Sequence, residues 1–486
     1  MSAAIRKPVL PIVPGKLLPH YMQGGIYLRT LNLHDYKGLF TAYTELRVQE
    51  NRSVNITFVK GNNTLNLRSS TGGISARVCR NGSWGFASHP GISEENVKTV
   101  IRAATDNALF LDSKEQKEKD PLPAVPASSE NDFSTSRPRL SQKDLVEFIR
   151  ELDDHIASSY PQLAGRTLSL RCLDMEKRLL TSDGSYSHSM IPRSFIYIQL
   201  SVIKNGSPVE LFDVYGGLGQ FEDQFSAPGD LFEEVARQYH HLIKKSEGVF
   251  ADAGLKTCVL DADLAGILAH EAIGHTVEAD IVMSGSVAGD KIGREVASPL
   301  ITMIDFANSY QGETCPVPVY VDDEGTAAKD AVLIKEGVLK SFLHNKESAN
   351  HYRVAPAGNA RAYAYSDEPL IRMRNTVILP GTSTLEDMIA SVDDGYYLIR
   401  PGNGQADSTS EFMFGIVLGY EIKKGKIGRA IKDTTISGVA FDVLKTVSMV
   451  SGEMSWMSGG MCGKKQPIPV GMGGPAIKCQ LNVGGR

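Results

Sequence analysis

The sequence predicts an α+β protein, with an N-terminal α+β domain followed by a C-terminal, mostly β domain. Three observations lead there. Short alternating stretches with turn punctuation recur along the chain, a few amphipathic helical patterns stand between them, and beyond Gly254 strand-like runs and glycines dominate. At 486 residues the chain is too long for one ordinary core, so the expected division is an N-terminal extension over 1–25, an α+β domain over 26–250 and a β-rich domain over 251–486.

From Tyr43 to Phe86 polar and apolar residues alternate, and Asn81-Gly82 carries a hairpin signal, which predicts an antiparallel sheet. A covering helix follows, with Ser93 as N-cap, Glu94 and Glu95 in its first turn and Val97, Val100, Ile101, Ala104 and Ala108 on one face. Residues 113–140 are charged, rich in Pro and Ser and without period, so they read as a linker or long surface loop. Ser141 and Asp144 then form a capping pair for a helix that buries Leu145, Phe148, Ile149, Leu152 and Ile156. Strands are expected around "RTLSLRCLD", "SFIYIQLSVIKNG" and "VELFDVYGG", with a turn at Ser182–Gly184, and a further helix opens at Asp230 and Glu233 and runs to about Lys245. In the second half, "TCVLD" feeds a helix beginning near Asp261 or Asp263, and the remainder reads as hairpins.

Composition removes several classes of function. A formal net charge of −5 with dispersed Lys and Arg leaves no basic stripe for nucleic acid and no polybasic membrane patch. The first 25 residues carry charges and prolines where a signal peptide needs an unbroken apolar core, and no run of about 18 apolar residues occurs, so a cytoplasmic location is expected. Six cysteines without a CxxC pair fit reduced thiols. "YGGLGQFE" lacks the third glycine and the helix that dinucleotide binding needs, and neither a Walker loop nor a GxSxG elbow is present.

The stretch that carries chemistry is "HEAIGH", His270 to His275. In an HExxH helix the histidines lie about 40° apart around the axis, whereas at i and i+5 they lie about 140° apart, too far to share one ion on an undistorted helix. Gly274 allows the turn to widen into a π-type bulge or to unwind, and such bulges favour functional sites. Glu271 lies only about 40° from His275 and is placed to hold and deprotonate a metal-bound water. Two residues are candidates for a third ligand. Glu278 stands three residues after His275 and serves either as ligand or as partner for a histidine N–H. Cys462, in "GGMCGKKQPIPVGMGG", is a thiol in a glycine-rich loop whose thiolate suits zinc. His344, His351, Arg361 and Arg372 are read as structural hydrogen-bonders rather than substrate contacts, and His240 and His241 as solvated.

Taken in order, "HEAIGHTVEAD" (270–280), "YVDDEGT" (320–326), "VLIKEGVLKSFLHNKESA" (332–349), "PAGNARAYAYSDEPLIRMRNTVILPG" (356–381), "GNGQADSTSEFMFG" (402–415) and "CGKKQPIPVGMGGPAIK" (462–478) resemble the TldD/PmbA family of zinc metallopeptidases in its metal-bearing TldD type. "SSTGGISARVCRNGSWGFAS" (69–88) extends the resemblance into the first half, and only the first twenty-odd residues and the 113–140 segment fall outside it. The resemblance implies a Zn2+ ion held by His270, His275 and Cys462, with Glu271 as general base, and so selects the cysteine over Glu278. It implies a β-rich C-terminal domain carrying the zinc helix. It also implies hydrolysis of small or unfolded peptides in an enclosed dimeric chamber, the partner being an identical chain or a metal-free paralogue. The N-terminal extension and the 113–140 segment do not map onto the family, which leaves dimer contacts and chamber access open.

Overall fold

The structure, a computed structural model, describes residues 31–115, 121–406 and 409–485, and the expected N-terminal extension lies outside them. The first half is built on long antiparallel strands: Tyr43–Val59, Asn62–Arg80, Gly165–Thr181 and Tyr186–Lys204, joined at the sheet's margins by Ser83–Pro90 and Ser207–Leu218. The strands are longer than the short runs expected. Their alternation lapses where one sheet face passes under the second half of the chain. The Asn81-Gly82 turn takes positive φ at both residues (49° and 80°), the twist that a two-residue hairpin needs.

One face of this sheet is covered by helices. Glu94–Glu115 buries Val97, Val100, Ile101, Ala104 and Ala108 against Leu46, Val48, Ile74 and Val78. Gln142–Ser159 starts from a capping box in which the Ser141 Oγ accepts from the Asp144 N–H at 3.2 Å and the Asp144 carboxylate accepts from the Ser141 N–H at 2.9 Å. It packs beside Phe232–Ser246 on Ile56, Leu168, Leu170 and Ile198, and this core also takes in Leu418, Tyr420 and Ala430 from the second half. His241 joins that seam: its Nδ1 lies 2.6 Å from the Tyr420 hydroxyl, so of the two histidines expected in solvent only His240 is exposed.

The 113–140 segment is not an unstructured linker in its described part. Residues 113–115 end the first helix, and Ser128–Asp132 adds a parallel strand beside Tyr186–Met190. Beyond it the Thr135 N–H donates to the Gln220 side chain at 2.9 Å, and Arg139 pairs with Glu222 at 3.1 Å. No hydrophobic period marks this strand because its hold is backbone pairing and polar contacts, neither of which leaves a pattern in composition.

The second half is built on two large sheets, with two short two-stranded ribbons beside them. Gly254–Leu260, Asp394–Ala406, Glu411–Lys423, Thr434–Val439 and Ile477–Val483 pair in a closed circuit, each bonded to the next and the last to the first. Val338–Leu339, Ala331–Lys335, Met303–Phe306, Asn375–Ile378, Ile468–Gly474 and Ser455–Cys462 form an open sheet in that order. The helical segment 262–283 lies between them, burying Leu264, Ala265, Leu268, Ala269, Ala272 and Ile273 in the largest core. The two halves meet through buried charge: Arg77 with Glu324 at 2.7 Å, Lys177 with Asp323 at 2.7 Å and Lys346 with Asp183 at 2.7 Å. Among the described residues no helix is long and apolar enough to cross a membrane.

Candidate metal centre

The strand Gly254–Leu260 delivers the chain to Asp261, whose carboxylate accepts from the Ala262 N–H at 2.8 Å and starts an α-helix at Ala262–Ile267. The helix then widens into a π-turn over Leu268–Gly274 and tightens to a 3₁₀ turn at His275–Val277. The bond that closes the wide turn runs from the His275 N–H to the His270 carbonyl. An i→i+5 bond places residues five apart on the same side of the axis, which reconciles the long histidine spacing with a shared ion. Gly274 itself has ordinary helical angles (φ −54°, ψ −46°), so its role is not to permit an unusual backbone. A Cβ there would stand 1.9 Å from the Met373 sulfur; the glycine is required for close packing.

Cys462 is the last residue of the strand Ser455–Cys462, opposite Ile468 in register, rather than part of a free loop. One ligand atom each from His270, His275 and Cys462 lies within 4.8 Å of the others, and the Cys462 Sγ is 3.4 Å from the His275 Nε2. A tetrahedral zinc with Zn–S of roughly 2.3 Å and Zn–N of 2.0–2.1 Å has an S···N edge of about 3.6 Å, so this pair already stands near the required separation. His270 is 1% exposed, and among the described residues neither of its ring nitrogens has a hydrogen-bond partner. Buried polar nitrogens left unpaired cost about 1–3 kcal/mol, which a cation would relieve. The donor set of two imidazoles and one thiolate fits a zinc ion.

The charges agree with that fit. Burial alone would push the Cys462 thiol up, but the adjacent His270 and His275 imidazoles outweigh it and hold the thiol at about 3, so the sulfur is an anionic donor. Burial would push His275 down, yet the Glu278 carboxylate and the Cys462 sulfur raise it to about 10. Glu271, partly exposed, places its Oε2 3.6 Å from the His275 Nε2, on the same side as the thiolate.

Glu278 is fully buried, and its Oε2 lies 2.8 Å from the His275 Nδ1. It therefore engages the ring nitrogen that points away from Cys462, fixing the ring's orientation as carboxylates do behind metal-ligating histidines. Of two further supports, Lys464 was not singled out in the sequence, whereas Arg372 is the structural hydrogen-bonder expected there. Lys464 reaches Glu278 at 3.1 Å and Asp280 at 2.7 Å. Arg372 donates to the carbonyls of Cys462, Lys464 and Gln466 at 2.8, 2.9 and 2.9 Å. The nearness of Lys464 to Cys462 in "CGKK" was the one signal for the first; nothing local marked what Arg372 clasps. Arg361 likewise donates to backbone, at Met373 and Pro469, and His344 lies buried beside Ser348.

Two imidazoles and a carboxylate from one widened helical segment, met by a thiolate from the end of a strand, define the class of metal-dependent hydrolases. Residues 254–485 match the PmbA/TldA metallopeptidase C-terminal domain and residues 44–108 match domain 1 of the same metallopeptidases. The chain is 33% identical over 357 residues to a metalloprotease TldD homologue of Haemophilus influenzae, covering 71% of this chain and 73% of that protein. It is 27% identical over 431 residues to a zinc metalloprotease TldD homologue of Saccharolobus solfataricus, covering 85% of this chain and 90% of the relative. The crystal structure of TldE from Thermococcus kodakarensis shares the fold, with a TM-score of 0.72 at 18% identity over 93% of this chain and 99% of that one. The chain belongs to the PmbA/TldD family of metallopeptidases.

Proposed function

We propose that this protein is a zinc-dependent peptidase of small or unfolded peptides, with His270, His275 and Cys462 holding the ion and Glu271 acting as general base. The observation that carries the reading is the convergence of the three donors within 4.8 Å, with the Glu271 carboxylate 3.6 Å from one of them. Zinc, when bound there, supplies Lewis acidity to the scissile carbonyl and to the attacking water. Glu271 accepts that water's proton and returns it to the leaving amine. Glu278 keeps the His275 ring turned with Nε2 toward the site. The Saccharolobus relative's name, a zinc metalloprotease, supports zinc as the ion.

Among the described residues the outer edge of residues 400–406 has no partner strand, since Gly254–Leu260 pairs only with Gly395–Leu398. A peptide added there as a strand is bound through its backbone with little regard for side chains. The chain works in the cytoplasm as a two-domain subunit divided near residue 250, in a dimer with itself or with a metal-free paralogue around an enclosed chamber. The alternatives are a silent subunit and a peptide-maturation module. Elemental analysis combined with peptide cleavage by wild type and Glu271→Gln separates them. One zinc per chain in both proteins, with turnover only in wild type, is expected. Zinc without wild-type turnover points to the maturation role, and no zinc to the silent subunit.

A further inference from the structure

The loop 463–467 that follows Cys462 is fastened on two sides. Toward the open sheet, Arg372 clasps two of its carbonyls, those of Lys464 and Gln466, and that of Cys462 just before it, and the Gln466 side chain accepts from the Tyr363 N–H at 2.8 Å and donates to the Glu368 carbonyl at 2.9 Å. Toward the histidine segment, Lys464 is the one side chain of the loop that reaches across among the described residues. Its Nζ lies 3.1 Å from the Glu278 Oε2, 2.7 Å from the Asp280 Oδ2 and 3.1 Å from the Ile371 carbonyl. The Glu278 oxygen it touches is the one bonded to His275 Nδ1, and the other Glu278 oxygen has no partner among the described residues. The contacts thus close a ring: Cys462 to Lys464 along the chain, Lys464 to Glu278, Glu278 to His275, and His275 back to the Cys462 sulfur at 3.4 Å.

We propose that Lys464 is a positioning residue that latches the thiolate arm of the site to its histidine arm, so that the donors stand assembled before any cation arrives. The proposal rests on the metal reading above. His270 and His275 share one helical turn, which sets their spacing, but Cys462 comes from another sheet 187 residues away in sequence. Without a link between the two arms, the sulfur-to-nitrogen distance would follow any sliding of the sheet against the helix. The ammonium supplies that link, and its positive charge offsets part of the charge that Glu278 and Asp280 would otherwise present to the strand end bearing the thiolate. Ligand sets held in advance bind metal more tightly, and loss of such outer supports typically lowers metal affinity 10–100-fold.

The test is titration of the metal-free, full-length protein with Co2+, read by thiolate-to-cobalt absorption, together with a zinc chelator competition. Wild type and Lys464→Arg are expected to bind one ion per chain with that absorption. Lys464→Met, which keeps the apolar stem and deletes the charge, is expected to need about 10–100-fold more metal. Its metal-free unfolding midpoint is measured alongside. If Lys464→Met does not fold, Asp280→Asn weakens the same latch from its more exposed side and is expected to give a smaller shift of the same sign. A folded Lys464→Met or Asp280→Asn protein with wild-type affinity overturns the latch. Absence of thiolate absorption in wild type overturns the metal reading itself, and the latch with it.

Discussion

Gly274 and Met373 are packed so closely that a methyl group on the glycine would lie 1.9 Å from the methionine sulfur and 2.9 Å from its terminal carbon. Met373 belongs to the main core, so its room to retreat is small. Gly274→Ala is therefore expected to destabilise the protein by about 1–3 kcal/mol through overpacking, although alanine favours the helical backbone. Met373→Ala should recover part of that loss when combined with it. Urea unfolding of the double-mutant cycle checks the pair; additive losses would mean that the contact does not govern the site's packing.

His270 offers a less intuitive outcome. Both ring nitrogens are buried without hydrogen-bond partners among the described residues, so His270→Leu removes a polar burden of about 1–3 kcal/mol from the metal-free protein. With chelator present the variant should gain at most that amount, because it also loses an imidazole that helps hold the Cys462 thiol down. With zinc present at about a hundred times its dissociation constant, wild type should gain about 2.7 kcal/mol and the variant nothing. Paired denaturation curves with and without zinc measure both.

Arg372 is fully buried and serves three carbonyls of the Cys462 loop. Arg372→Met removes three charge-assisted bonds and should cost at least about 3 kcal/mol, since bonds to charged groups are worth about 1.5–3 kcal/mol each. Arg372→Lys should not restore stability, because an ammonium cannot span the fork that a guanidinium covers. Thermal unfolding of the two variants decides this; full rescue by lysine would show that charge, not geometry, matters.

Acid stability should report the buried histidines. Burial pushes His344 down to about 4, and burial followed by the neighbouring His240 and Arg400 charges takes His241 to about 4 as well. In the unfolded chain an imidazole titrates near about 6.5, so between that value and about 4 the unfolded state binds more protons. Their contribution is full above pH of about 6.5 and is lost as the pH falls through the window, by at most about 1.4 kcal/mol per pH unit for each group. His344→Gln should flatten the acid limb of a stability-versus-pH curve measured by urea unfolding. An unchanged slope would place the loss elsewhere.

Legibility in the sequence followed the range of the forces involved. The faces of Glu94–Glu115 and Gln142–Ser159, and the Ser141–Asp144 box, could be read because each depends on residues within one or two turns. The histidine pair could be read with its awkward spacing, and the need for a wide turn followed from helix geometry. The strand Ser128–Asp132 could not, because its polar residues are held by pairing with a strand more than fifty positions on. The packing role of Gly274 was likewise out of reach, since Met373 is a hundred residues away in the chain.

By itself, then, the sequence determined most of the elements, the candidate donors and the family, because periodicity, capping and ordered motifs are local or nearly so. Tertiary structure alone decided that the Cys462 sulfur meets the His275 ring at 3.4 Å, that Glu278 takes the opposite ring nitrogen, and that Arg372 and Lys464 hold the loop in place. Those relations arise where an open sheet packs beside a widened helix. Their energies depend on burial and direction, and neither quantity exists until the chain has folded.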